Sequence, residues 1–445
     1  MKILVAGAGH GGLAAAGILA QNGCDVTVLE RAPEENLGHD WTDIFNMRCF
    51  PAAGLPMPEQ GTYHSVPHFT FHNPTHTVSV TAVVPENRSE MGMERRDLLW
   101  HLIKFARESG ASLAFETNVE APLIDGDRVV GLFIKDKQGR REQRSCHDRR
   151  EFTADLVIDA SGMHSPVRRK LPEAWGLTGD FRRDQYFTVY RAFYSRTQAP
   201  PLYDDPFNVY FYPLDCRAVA WVAREEGYVD LLCGTFGDTT RQFAEEVRQS
   251  LLERHPEFGG EVLRGGQVVK LPVRRPVSRM VANGYAAIGD SAGMTVPIIG
   301  SGITNAIRAG RMLADTVLAA RDVSAAQLWP YQVEYMRNIG AVHASLDPLK
   351  TLMLTTQSKA VDFMFERRIL DAADMAKART GQQISFTPPQ MAQRAVRGAS
   401  QLSTLLKMAG KLSASQKLRR HALRIPARYD KDAVGAWAKT YDAIG

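Results

Sequence analysis

KILVAGAGHGGLAAAGILAQNGCDVTVLE, residues 2–30, passes from an apolar run through GxGxxG into a helix of small side chains, then into a second apolar run that ends on an acid. Residues 2–7 predict a short buried strand, and 25–29 predict a second one. Gly7 permits the tight turn, Gly9 lets a pyrophosphate approach the backbone, and Gly12 lets helix and strand pack closely. The free N–H groups at the helix start would face the phosphates. Glu30, 18 residues beyond Gly12, can accept hydrogen bonds from a ribose diol, with Arg31 beside it. Strand, turn, helix and closing acid in that order predict dinucleotide binding. The turn alone leaves NAD and FAD open. The same register argues against reading the apolar N-terminus as a secretion signal.

Working outward, a second glycine-rich stretch, GDSAGMTVPIIGSGITNA, occupies 289–306. It follows an apolar strand at 285–288 and opens a helix with Ile303, Ala306, Ile307, Gly310, Leu313 and Val317 on one face. Between the turns the chain changes character twice. Residues 31–60 are polar, aromatic and rich in Gly and Pro, where a plain nicotinamide domain would return at once to another βα unit. A helix at 93–110 and strands at 113–115, 128–134 and 155–159 follow. Residues 181–275 then break into short alternating runs, TVYRAFYSR, NVYFYPL, AVAWVA and VDLLCGTF, as an antiparallel sheet requires, with a helix at 239–254.

Composition adds bounds. The 445 residues are 44% hydrophobic and 23% charged, which suits a large globular chain able to bury a core. No apolar run reaches the roughly 18 residues of a membrane span, and a cytoplasmic location is expected. Five scattered cysteines, Cys24, Cys49, Cys146, Cys216 and Cys233, have no CxxC spacing, so neither a disulfide framework nor a metal site is expected. The run at 135–150 mixes charge signs and predicts a solvated hairpin rather than a nucleic-acid surface. Charge is concentrated at the end of the chain. Residues 386–428 hold nine Lys/Arg and no Asp/Glu, with Leu402, Leu405, Leu406, Met408 and Leu412 at helical spacing. Packing of these side chains on the body of the protein is the expected use, with peripheral contact to an anionic membrane as the alternative.

GxGxxG with Glu30, Arg95 ahead of Leu98 and Leu102, the DASGxxSxVR stretch at 159–168, and GDSAG-x3-P-x2-GxG-x2-N together resemble the FAD-dependent family with the para-hydroxybenzoate hydroxylase fold. The resemblance covers about residues 1–330. It implies an α/β fold: a Rossmann-like FAD-binding domain from 1–180 and 276–330 and an inserted antiparallel substrate domain at 181–275; beyond it, charge and helical spacing predict a helical basic region at 331–445. It also implies that the first turn holds the FAD pyrophosphate and the second reaches the ribityl chain and ring. Asp290 would bond the ribityl chain, Pro297, Gly300, Gly302, Ile303 and Asn305 would shape the ring site, and Arg95 would lie near the FAD backbone.

Within that group the motifs are most similar to the geranylgeranyl reductases and FixC-like proteins. Aromatic hydroxylases carry a histidine where this chain has Gly293, and an aspartate tied to nicotinamide use where it has Ser161. The halogenase Trp-x-Trp-x-Ile-Pro element is absent, and the cysteines for an iron–sulfur cluster are missing. The expected activity is hydride transfer between flavin N5 and a hydrophobic or conjugated small molecule, either C=C reduction or its reverse. The electron donor would be NAD(P)H or a ferredoxin-like carrier. The alternative is an NAD(P)H- and oxygen-dependent monooxygenase. A non-catalytic relative, such as the escort proteins of prenylated GTPases, would not need the complete second turn. His39 or Asp40 could deliver the proton; the competing reading makes Asp40 a helix cap and leaves His39 at the surface. Tyr190, Tyr210 and Tyr212 are candidates for the substrate cavity, against the ordinary use of strand aromatics as core.

Overall fold

The computed structural model describes residues 1–84, 90–135, 149–177 and 179–444. Most of the charged run at 135–150 lies outside the described residues. Six strands form the central sheet, in the spatial order Val281–Ala282, Tyr285–Ala287, Leu156–Asp159, Lys2–Ala6, Asp25–Leu29 and Ser112–Ala114. All neighbours run parallel except the first pair. Parallel strands are covered on both faces, and the consecutive residues Ile3, Leu4 and Val5, and Leu156, Val157 and Ile158, are accordingly buried without alternation.

The glycines of the first helix, His10–Gln21, bring the two distant turns together. A Cβ on Gly11 would stand 2.7 Å from the carbonyl oxygen of Ala306, and one on Gly310 would stand 2.8 Å from that of Gly11. Helix Ile303–Ala319 therefore lies directly on His10–Gln21, backbone against backbone. The small side chains that the sequence places there are a condition of that contact.

A seven-stranded sheet stands apart, ordered Phe258–Pro272, Tyr186–Arg196, Tyr228–Thr235, Ala218–Arg224, Phe207–Phe211, His68–His72 and Ser79–Val83. Four of its first five strands are the antiparallel runs expected at 181–275, and Phe258–Pro272 is a fifth that was not picked out there. The last two come from the stretch before residue 181, and His68–His72 pairs parallel with Phe207–Phe211. Their alternation, HFTFH and SVTAV, is visible in the sequence but short. A third sheet, Thr42–Asn46, Glu90–Glu94 and Tyr63–Val66, connects this sheet to the central one.

The C-terminal region is helical: Ala325–Tyr335, Ala341–Thr355, Ser358–Glu366, Ala372–Arg379, Pro388–Arg397, Leu402–Leu423 and Lys431–Ala443. Ser324, Asp371, Thr387 and Asp430 cap four of these helices by accepting backbone N–H bonds. Val361, Phe363, Met364, Phe365 and Met408 from this region share a core with Phe69, Phe71, Phe207 and Phe211 of the seven-stranded sheet. No described helix is long and apolar enough to cross a membrane.

Candidate functional site

The stretch 159–168 joins the two turns. Gly7 is left-handed at φ 92°, and a Cβ there would lie 2.8 Å from the Ala160 carbonyl oxygen. Gly9 faces the same oxygen at 2.9 Å, and Gly12 faces the Ala160 methyl at 2.5 Å. Any side chain at these positions would push the turn off strand Leu156–Asp159. Asp159 accepts hydrogen bonds from Ser161, Ser165 and, at 2.9 Å, the Tyr285 hydroxyl. Ser291 of the second turn donates to the Asp159 carbonyl, and the buried Arg168 guanidinium donates to the carbonyls of Ser291 and, at 2.8 Å, Met163. Asp159, Ser165 and Arg168 therefore fix the positions of both turns, and the Ser161 hydroxyl is committed to Asp159.

Around the first turn, Glu30 accepts N–H bonds from Ala8 at 2.9 Å and Ala32 at 2.8 Å, which leaves its carboxylate capacity for further donors. Arg31 is exposed. Beside the helix start, Arg95 grips Asp43 with two bonds of 2.6 Å. Burial opposes the Asp43 charge, but the Arg95 charge and hydrogen bonds outweigh it and hold the carboxyl below its usual range. His10 is pushed down to about 4 by burial and by Arg95, against the pull of Asp43, and its Nε2 has no partner among the described residues. Burial raises the Asp290 carboxyl, which Arg95 partly offsets. Gly302 leaves Asp290 its room, since a Cβ there would come within 3.5 Å of Oδ1 and 2.9 Å of the Thr295 methyl. Asn305 is buried and donates to the Met294 carbonyl at 3.2 Å, tying the second turn to its own helix.

The second turn opens onto a cavity of about 380 Å³. Pro297–Ile303 form one end, with Trp41, Asp43 and Arg95 beside them. The seven-stranded sheet supplies one wall, and the helices from Leu349 to Leu412 supply the opposite one. The lining is almost wholly apolar, and its charged groups are already paired. Besides Asp43 with Arg95, Arg191 holds Asp230 by Nε at 2.9 Å and Nη2 at 2.5 Å, and Arg379 is ion-paired with Glu90 at 2.8 Å, although its Nε and Nη2 make no well-aligned hydrogen bond among the described residues.

Sequence reasoning placed the tyrosines unevenly. Tyr212 lines the cavity, its hydroxyl donating to the Thr356 carbonyl at 3.0 Å. Tyr190 and Tyr210 do not. Strand alternation turns them to the other face of the sheet, where Tyr210 bonds His255 Nε2 at 2.6 Å and both pack with Ala220 and Val247. Asp40 stands outside the cavity lining as well. It is exposed, accepts bonds from Arg264 at 2.9 Å and the Gly265 N–H at 3.2 Å, and precedes a strand rather than capping a helix. His39 is also outside the cavity lining; it is half-buried with its ring 5.1 Å from Trp41, and burial and Arg95 lower its pKa. Trp41, Asp43, Arg191 and Arg379 were not singled out from the sequence. The first two stand directly after His39 and Asp40 in the stretch 39–43, HDWTD, and nothing local marks the others.

The matching family model is the FAD binding domain, over residues 1–326. The chain belongs to that family. It binds FAD and is an FAD-dependent oxidoreductase. Along nearly its whole length it is similar to the digeranylgeranylglycerophospholipid reductase of Sulfolobus acidocaldarius, 22% identical over 99% of this chain and 96% of that one. The Haloferax volcanii protein of the same name is 27% identical over 74% of this chain and 80% of its own. Among solved structures, a geranylgeranyl bacteriochlorophyll reductase-like protein from Thermoplasma acidophilum aligns with TM-score 0.70 at 17% identity, covering 92% of this chain and 98% of that one. That likeness shows the shared fold.

Proposed function

We propose that the protein saturates carbon–carbon double bonds in a prenyl-type lipid or a similarly apolar molecule, or runs the reverse desaturation, from the cytoplasm. The observation that carries this reading is the cavity beside the second turn: its walls are apolar and its ions already have partners. A small charged aromatic acid would find no unpaired cation there, whereas an unsaturated chain loses nothing by leaving water.

The residues suit a flavin dinucleotide. Gly7, Gly9 and Gly12 leave the backbone bare at the first turn, and Glu30 has acceptor capacity for a ribose. The unpartnered His10 Nε2 and Arg95 lie together near the helix start, and Asp290 with the backbone from Gly300 to Ile303 would hold the ribityl side. When bound, FAD supplies hydride exchange at N5. The chain's own part is to position and to keep dry. Trp41 closes the cavity beside Asp43, with the Arg95 and Arg191 guanidinium groups each 5.6 Å from its ring centre. Arg95, pinned on Asp43, keeps a fixed positive charge next to Asp290. His39, leaning on Trp41 just outside the cavity lining, is the group proposed to relay the proton, taking one from solvent at one ring nitrogen as it gives one from the other; Asp40, held by Arg264, is not. Electrons would come from NAD(P)H or a ferredoxin-like carrier, and the lipid from an anionic membrane met peripherally.

The test is product mass. Incubated anaerobically with a digeranylgeranyl lipid and a chemical reductant, the holoprotein should add two hydrogens per double bond reduced. An unchanged lipid, alongside a hydroxylated aromatic product in air, would replace this reading with the monooxygenase.

A further inference from the structure

Helices Pro388–Arg397 and Leu402–Leu423 carry apolar side chains that the protein leaves uncovered. Met391, Val396, Leu402 and Leu406 are 56, 78, 61 and 64% exposed. The same helices also face inward. Met408 is buried, and with Leu412 and the nearby Phe386 it lines the cavity wall. The expected packing of the leucines therefore holds for only part of the set. Leu405 is half-buried against the core, whereas Leu402 and Leu406 point the other way.

The outward stripe continues at helical spacing. From Leu402 and Leu406 it runs through Ala409 and Ser413 to Lys417, Arg420 and Arg424, all exposed. Its first half is apolar and its second half is cationic. Among the nine basic residues of 386–428, Arg394 is spent on Asp371 and Asp374, while Lys407, Lys417, Arg420, Arg424 and Arg428 are exposed. No acidic residue in the segment competes for them.

We infer that this face docks on an anionic lipid bilayer, Met391, Val396, Leu402 and Leu406 entering the interface and the Lys417–Arg424 end pairing with headgroups. Both halves of the stripe match the two layers of such a surface. A second copy of the chain is the poorer occupant, because a two-fold contact would set like charges against each other. Since one side of Leu402–Leu423 lies outward and the other walls the cavity, docking brings the cavity wall to the lipid. That consequence rests on the reading of an apolar lipid substrate; the docking itself does not.

The experiment is co-sedimentation of the full-length holoprotein with vesicles of phosphatidylcholine alone or mixed with phosphatidylglycerol, at low and high salt. Binding should require phosphatidylglycerol and weaken with salt. It should fall about tenfold or more in Leu402→Ser/Leu406→Ser and in Lys417→Gln/Arg420→Gln/Arg424→Gln, with thermal midpoint and flavin content unchanged. No sedimentation at low salt overturns the inference, and so does a dimer in solution that the Leu402→Ser/Leu406→Ser variant dissociates. Turnover of a short, dispersed prenyl alcohol is measured in parallel. Vesicle binding without turnover would refute the lipid-reductase reading and leave docking standing. Turnover without vesicle binding would do the reverse.

Discussion

The two faces of the seven-stranded sheet are built from alternate residues of the same strands, and they do opposite things. On one face Val189, Arg191, Phe211, Val219 and Trp221 line the cavity. On the other, Tyr190, Tyr194 and Tyr210 lie over helix Arg241–Leu251, in a packed layer that contains His72, His255 and Glu257. The cavity face is apolar except where an ion is cancelled. The packed face sets polar groups among aliphatic ones: Tyr210 bonds His255, His255 bonds Glu257 and His72 bonds Asn208, around Val222, Leu231 and Val247. Aromatic content therefore does not mark the substrate side; register does. Tyr212 makes the same point in reverse. Its left-handed φ of 53° breaks the alternation after Phe211, and its ring returns to the cavity.

The largest effect is expected at the charged exception on the cavity face. Arg191→Leu would strand Asp230, 2% exposed, without its partner, and should cost about 3–5 kcal/mol in chemical denaturation. Arg191→Leu/Asp230→Leu should recover much of that loss. If it does not, the pair serves something other than cancelling charge. On the packed face, Tyr210→Phe leaves His255 Nε2 buried without its bond, and about 1–3 kcal/mol should be lost. Activity per folded molecule should stay as it was; a selective loss of turnover would return Tyr210 to the substrate side.

Val189→Trp tests the cavity face by filling it. Val189 is buried in a cluster with Trp41 and Phe193, so even with cavity volume beside it the larger ring should cost about 1–3 kcal/mol. The kcat/KM for a long prenyl chain should fall by roughly tenfold against a short one. Equal loss for both lengths would mean that the chain does not run along this wall.

The smallest effect is one of pH. His76, whose ring centre lies 5.0 Å from that of Tyr210, is held down to about 4 by burial, with Arg254 and His72 adding to it and Asp362 opposing. The unfolded chain binds this proton near 6.5 and the folded one near 4, so its contribution is complete above 6.5 and declines as pH falls through that window. Thermal midpoints recorded between pH 7 and 4 should fall less steeply in His76→Gln than in the parent. Parallel slopes would place the acid sensitivity elsewhere.

Much of the fold was legible because its determinants are local. The first turn fixes strand, helix and strand within 30 residues, and the second does the same for its own helix. Their docking could be read only in outline. The small side chains of His10–Gln21 are plain in the sequence, but their partner, Ile303–Ala319, is nearly 300 residues away. Strands His68–His72 and Ser79–Val83 were missed because five alternating residues do not reveal which sheet they join. Tyr190 and Tyr210 failed for a related reason: a strand pattern gives the two faces but not which of them meets the ligand. The cavity depends on C-terminal helices closing over a sheet built earlier in the chain, and no short stretch encodes that. Arg379, placed at the end of a helix and paired with Glu90 from another sheet, had no local signal.

The central claim is that reduced flavin in this protein gives its electrons to a carbon–carbon double bond held in the apolar cavity. Its most direct test is to reduce the holoprotein under anaerobic conditions, mix it with a geranylgeranyl-bearing lipid, and follow the flavin absorbance while the lipid is weighed by mass spectrometry. The account predicts that the oxidised flavin spectrum returns only with unsaturated lipid, in step with the gain of two hydrogens, and that Val189→Trp slows both. A flavin that stays reduced with every unsaturated lipid, yet reoxidises in oxygen with an oxygen atom inserted into an added substrate, would contradict it.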